Sequence, residues 1–266
     1  MKQISSNINL ESTEINEKYC GPPMSGNGGY IAGIIANQIQ NNAAVVKIKA
    51  PAPLNQTLFF SNDFESSRIK LIIKESNILI AEGQEDKDFY LDVPEFNAKS
   101  IEEIRNPIQA YLGFKKHPFS TCFVCGTERK AKDGMRIFPA KISDQSKFNH
   151  LHGSFWNPWK ELGDSRGKIF NEIVWAALDC PGGFAVSFLD PRMIVLVKLR
   201  ARLMNSVFAD TTYAIQAWEI SRNRRQRIAG TAIYQLGDFK CVAYSEAIWM
   251  IPEKWNTENQ KQQNQN

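Results

Sequence analysis

The chain has 266 residues, 43% of them hydrophobic and 23% charged, an ordinary balance for one large globular domain or two small ones. A formal net charge of +4 is too small to argue for nucleic acid, and no run of about 18 apolar residues predicts a membrane span. The first twenty residues lack an apolar signal core and the five cysteines are an odd number, so a cytoplasmic protein with free thiols and no disulfide framework is expected.

In chain order, the first strong signal is "CGPPMSGNGGYIAGIIANQIQ", residues 20–40, where Gly26, Gly28 and Gly29 run into an apolar stretch. Tyr30, Ile31, Ile34, Ile35 and Ile39 share one helical face, which predicts a helix over about 28–41. The segments "AAVVKIKAPAPL", "TLFFSNDF", "RIKLIIKE" and "NILIAEGQE" then read as antiparallel strands, the last two joined by the tight turn "KESN". Residues 85–120 are polar and contain prolines; they read as a connector with one helix near 100–112.

The pattern then begins again. "GMRIFPAKI" and "KFNHLHGSFW" read as strands, "NEIVWAALD" as a helix start, and "MIVLVKLRARL", "TTYAIQAWEI", "QRIAGTAIYQ" and "FKCVAYSEAIWMI" as four further strands. "VKIKA" at 46–50 matches "VKLRA" at 197–201, each after a helix and before an aromatic strand, so the order of elements repeats. The Gln/Asn-rich tail has no apolar partner and is expected to be disordered. Two such copies imply an α+β architecture in which each antiparallel sheet wraps one long helix.

This order of elements resembles the hotdog fold. "SGNGGYIAGIIANQI" is similar to the double-hotdog acyl-CoA thioesterases, and "CFVCGTERKAKDGMRIFPAKI" with "VWAALDCPGG" resembles the phenylacetyl-CoA type of thioesterase. The resemblance implies two tandem hotdog units forming an intrachain pseudo-dimer: an N-terminal unit over 1–95, a connector over 96–117, a C-terminal unit over 118–252 and a tail over 253–266. It also implies hydrolysis of an acyl-CoA thioester.

In the family, a Gly-Gly pair at one unit's helix N-terminus offers N–H groups to the thioester carbonyl. An acidic residue seven positions after the corresponding second Gly, on the other unit's helix, is nucleophile or general base. Here the pair is Gly28-Gly29, but Ala36 and Asn37 stand where its own acid would be; in the second repeat the acid is Asp179, and Asn171-Glu172 replaces the glycines. The resemblance therefore implies one composite site, with Gly28, Gly29 and Asp179 catalytic. Asn27 stands where relatives carry His, and it joins Asn37 as a substrate-binding candidate. The alternatives are a turn that needs glycine only for packing and an Asp179 that merely caps a turn, since Pro181 must end or kink the helix.

"SRNRRQR" places Arg222, Arg224 and Arg225 in a hairpin, where guanidinium groups suit the phosphates of coenzyme A; a solvated basic turn is the competing reading. Cys122-x-x-Cys125 is half a zinc site that His117, Cys180 or Cys241 would have to complete, and without a second such pair no metal is expected. No cofactor is implied. His117, His150 and His152 lie outside both helices and their N-terminal loops, which argues against a hotdog dehydratase; a noncatalytic acyl-CoA- or lipid-binding hotdog protein and a hotdog hydratase are the rival readings. Trp175 and Phe184 read as core. Acyl-CoA is the expected substrate, with neither nucleic acid nor membrane insertion, and exposed sheet faces make a homo-oligomer the expected assembly.

Overall fold

The structure, a computed structural model, describes residues 11–39, 41–63, 66–105, 107–142, 147–187 and 193–252. The tail expected to be disordered lies outside the described residues. In chain order the elements are β1 (Ser12–Glu14), α1 (Gly28–Ala36), β2 (Ala43–Ile48), β3 (Thr57–Asp63), β4 (Arg68–Ile73), β5 (Ile78–Glu85), α2 (Ala98–Arg105), β6 (Ala140–Lys141), β7 (Asn149–Trp156), α3 (Asn171–Ala177), α4 (Cys180–Ser187), β8 (Val195–Leu203), β9 (Tyr213–Asn223), β10 (Gln226–Gln235) and β11 (Cys241–Met250).

All named strands join one antiparallel sheet in the order β1-β3-β4-β5-β2-β8-β11-β10-β9-β7-β6. The first repeat's strands occupy one side and the second repeat's the other. They meet where β2 pairs antiparallel with β8, Ala43 opposite Arg202 and Lys47 opposite Lys198, so the matching "VKIKA" and "VKLRA" segments form the seam. On one side α1 lies against β2, β4 and β5, and on the other α4 lies against β7, β9 and β10.

Between them α1 and α3 run antiparallel in close contact. A Cβ on Gly29 would stand 2.5 Å from Asp179 Cβ and 2.7 Å from the Trp175 carbonyl oxygen, and one on Gly33 would overlap Glu172 Cα. Glycine one turn apart thus lets two backbones approach as no larger residue would. The large core unites both helices and both halves of the sheet, with Ile31, Ile35, Trp175 and Leu199 all nearly inaccessible. Trp175 is core as expected, and Phe184 packs partly buried against it.

The departures from the sequence reading have local causes. Helix α1 stops at Ala36 rather than near 41: Asn37 is its C-cap, and the following N–H groups of Gln38 and Ile39 bond carbonyls only three residues back. The helix expected near 100–112 is α2, after which Pro107 and Leu112 open short 3₁₀ turns, because proline cannot continue an α-helical ladder. "GMRIFPAKI" is strand only at Ala140–Lys141. The Met135 and Ile137 N–H groups instead bond the carbonyls of Phe123 and Val124, and Arg136 between them has a φ of 54°. The break at Pro181 is real: α3 ends at Ala177 and α4 restarts at Cys180, with the proline in its first turn, where a missing N–H costs little. β1 was not anticipated.

The segment read as a connector covers a second, smaller core. Phe89, Phe96 and Ile104 pack with Trp218, Tyr234 and Tyr244, while the Tyr234 hydroxyl donates to Pro94 O at 2.6 Å and the Tyr244 hydroxyl to Phe89 O at 3.2 Å. Its polar composition conceals three anchoring apolar side chains.

The helix contact makes a stability prediction. Gly33→Ala forces Glu172 away from α1 and should lower the unfolding free energy by about 1–3 kcal/mol, whereas Gly237→Ala, with open space around it, should stay within about 0.5 kcal/mol of the parent. Urea titration of the two variants compares them directly; equal midpoints would mean the helices are not in this contact.

Candidate functional site

The N-terminus of α1 and the break between α3 and α4 face each other. Asn27 is the N-cap of α1, its Oδ1 accepting from the Tyr30 N–H at 2.9 Å, as asparagine does at this position. The same side chain's Nδ2 donates to Asp179 Oδ2 at 2.9 Å, and the Gly29 N–H donates to that oxygen, also at 2.9 Å. Asp179 therefore caps the helix of the other repeat rather than its own. Its carboxylate sits where the unpaired N–H groups and dipole of α1 favour negative charge.

Asp179 is 2% exposed and Asn27 is equally buried. Oδ2 has two donors, and Oδ1 has no hydrogen-bond partner among the described residues. Burial pushes the carboxyl up to about 7, against the Gly29 bond that opposes it; nearby Cys122 raises it further and the Asn27 bond lowers it. A carboxylate with one oxygen anchored and the other unpartnered has the form of a general base or nucleophile.

Three thiols adjoin this acid. The Sγ atoms of Cys122, Cys125 and Cys180 lie within 4.8 Å of one another, all buried, with Cys122 and Cys180 3.8 Å apart. Asn27 Nδ2 is 3.6 Å from Cys180 Sγ. Hydrogen bonds from Cys125 and Cys180, aided by the backbone N–H groups of Cys125 and Val124, hold the Cys122 thiol well below its usual range. All five cysteines are free, as expected.

His117 comes nearer than sequence position suggests. Its Nδ1 accepts from the Phe119 N–H at 2.9 Å, and its Nε2 is 3.0 Å from the Tyr111 hydroxyl, which donates to Cys125 O. These bonds set a neutral Nε2–H tautomer, and burial lowers its affinity for a second proton. Both ring nitrogens are engaged away from Asp179. His150 and His152 lie on β7.

No protein-family model and no curated protein matches the chain. Solved structures do. A tesB protein of Mycobacterium avium subspecies paratuberculosis is 8% identical, with a TM-score of 0.58 over 91% of this chain and 92% of that one. The acyl-CoA thioesterase II TesB2 of Mycobacterium marinum is also 8% identical, with a TM-score of 0.57 over 95% and 96%. The chain has the thioesterase II fold.

Within that fold the sequence-predicted residues divide. Gly29, Asn27 and Asp179 come together. Gly28 borders them, a Cβ there falling 2.9 Å from Leu196 Cδ2. Asn37 does not: it stands at the opposite end of α1, about 12 Å along the helix by its rise per residue, where its Nδ2 donates to Glu172 Oε2 at 2.8 Å. Asn37 and Glu172 thus occupy the other end of the helix pair, where the second helix opens on Asn171-Glu172.

The arginines lie elsewhere in the thioesterase II fold, at the β9–β10 hairpin. Arg222 pairs with Glu219, its Nη2 2.5 Å from Oε2, and donates to Val186 O near the far end of α4; Arg225 Nε donates to Ile251 O at 2.9 Å. Arg224 occupies the turn with a φ of 43°. Among the described residues no helix is long and apolar enough to cross a membrane. The residue that sequence reasoning missed is Cys180, which carried a signal only as one of three options for completing the Cys-x-x-Cys pair.

Asn27 combines a helix cap with a donor to a buried acid, and substitutions separate the two. Asn27→Ser retains a capping oxygen and loses the amide donor, which should cost about 1.5–3 kcal/mol as a lost bond to a charged group. Asn27→Asp also caps but sets a second carboxylate against Asp179 and should be less stable still. Chemical denaturation well above neutral pH, where the Asp179 carboxyl is ionised, should rank the proteins Asn, Ser, Asp; an aspartate variant as stable as the parent would contradict the bond to Asp179.

Proposed function

We propose that the protein hydrolyses acyl-CoA thioesters, and that it is built as two tandem hotdog units, residues 1–95 and 118–252, forming a pseudo-dimer within one chain. The observation that carries this reading is the bond from the Gly29 N–H of one repeat's helix to Asp179 on the other repeat, inside a thioesterase II fold.

Asp179 Oδ1 is the acting atom, since Oδ2 is anchored by Asn27 and Gly29. Oδ1 takes a proton from water as the water oxygen bonds the thioester carbon. The tetrahedral intermediate then expels the coenzyme A sulfur, which receives that proton, leaving a carboxylic acid and a free thiol. Direct attack by Oδ1, with water opening the resulting anhydride, is the same residue in a nucleophilic role. Negative charge on the carbonyl oxygen develops at the N-terminus of α1, where the Gly28 and Gly29 amides and the helix dipole oppose it. An entering carbonyl competes with Oδ2 for the Gly29 amide, so one donor serves the acid at rest and the oxyanion in turnover.

Thiol release from a panel of acyl-CoAs tests the proposal. The parent should turn over at least one ester. Asp179→Ala and the near-isosteric Asp179→Asn should each lose roughly 10²–10⁴-fold in kcat/KM, with unchanged circular dichroism. Full activity in both variants would put the chemistry elsewhere. A parent that binds coenzyme A esters but releases no thiol would be a binding protein, the reading that the near-complete burial of Asp179 favours.

A further inference from the structure

We infer that Cys122, Cys125 and Cys180 form a zinc site. This goes beyond the proposed hydrolysis and does not depend on it.

Four observations carry the inference. The first is spacing. With zinc–sulfur bonds of about 2.3 Å, two thiolates at a tetrahedral angle lie about 3.8 Å apart, and Cys122 Sγ and Cys180 Sγ are 3.8 Å apart, with Cys125 Sγ inside the same 4.8 Å cluster. Thiols packed only as small apolar groups have no need to converge three at a time.

The second is the loop. The backbone turns back on itself after the first cysteine, the Gly126 N–H donating to Cys122 O at 2.9 Å, and a side chain at Gly126 would overlap that carbonyl. The loop is pinned on both sides: the Phe123 N–H donates to Cys20 O, and the Met135 and Ile137 N–H groups bond Phe123 O and Val124 O. Both metal-facing thiols of the pair are thus held in place by backbone bonds before any ion arrives.

The third is the surrounding polarity. Asn27 Nδ2 stands 3.6 Å from Cys180 Sγ. Donors to sulfur are what thiolate ligands require from the shell around them.

The fourth concerns the remaining ligand. His117 has both ring nitrogens engaged, with Phe119 and Tyr111, and Cys241 belongs to the smaller core, donating to Ala243 O. Only the three thiols fall within the 4.8 Å cluster, and no carboxylate oxygen among the described residues joins them, so the fourth place falls to a water oxygen. Soft thiolates in a tetrahedral set select zinc over the hard divalent cations. On binding, S–H bonds give way to S–Zn bonds and the displaced protons pass to solvent.

The full chain, expressed with zinc and dialysed, should carry about one zinc per chain by elemental analysis. Cys122→Ala and Cys180→Ala should fall to background, and Cys241→Ala should keep its metal. Should the cysteine variants not fold, cobalt(II) added to the apo parent decides alone: sulfur-to-cobalt charge-transfer absorption proportional to three thiolates, with intense tetrahedral d–d bands displaced by zinc, supports the site. Background zinc in the parent after reconstitution, cobalt spectra without those bands, or equal metal loss in Cys241→Ala would overturn it. Metal content is measured without substrate, so an inactive protein leaves this test intact.

Discussion

The structure depends on how closely α1 and α3 approach. Two glycines on one helix, Gly29 and Gly33, lie against backbone of the other. The separation they permit lets a short carboxylate on Asp179 reach the Gly29 amide directly, at 2.9 Å. With larger residues at those positions the carboxylate would lose its main-chain donor and remain buried without adequate compensation, a costly arrangement. Packing and electrostatics are therefore one constraint: the glycines that close the interface also supply the dipole and the N–H that make a buried acid tolerable there.

The two ends of this helix pair differ. At one end Gly29 and Asn27 hold a nearly inaccessible carboxylate. At the other, Asn37 bonds Glu172 in an exposed pair. In water-accessible surroundings such a bond contributes little and organises no chemistry, whereas in the interior the same kind of bond sets protonation and orientation. The two halves of the sheet thus meet at the β2–β8 seam, while the buried polar chemistry is concentrated at one pole of the helix pair.

Much of this was legible before any coordinates. The period of Tyr30, Ile31, Ile34 and Ile35 marks the buried helix, Pro181 marks the break between α3 and α4 at which Asp179 stands, and the hairpin turns mark the strands. What escaped were contacts that only the fold creates. Cys122 and Cys180 are 58 residues apart in the chain, and nothing local to either announces the other. Asn37 lies eight residues after Gly29, and nothing local to it says that Glu172 of the partner helix meets it at that end. "GMRIF" has the composition of a strand, yet its N–H groups go to the cysteine loop, because that loop must be anchored by something. The apolar anchors of the connector, Phe89, Phe96 and Ile104, are too widely spaced to form a pattern.

The acid and the thiols share one electrostatic solution. Asp179 lies at the N-terminus of α1 in space and directly before the N-terminus of α4 in sequence, with Cys180 the first residue of that helix. Two positive helix ends therefore converge on a buried carboxylate beside the thiol cluster. Each end alone offers a fraction of a unit charge, enough to bias one anion. A cation bound among the thiols would supply the larger balance and would also fasten the cysteine loop to α4, fixing the short segment from which Asp179 projects. The break between α3 and α4 at Pro181, already spanned by the Asp179 N–H bond to Ala176 O and the Gly182 N–H bond to Asp179 O, would then be held from outside the helices as well.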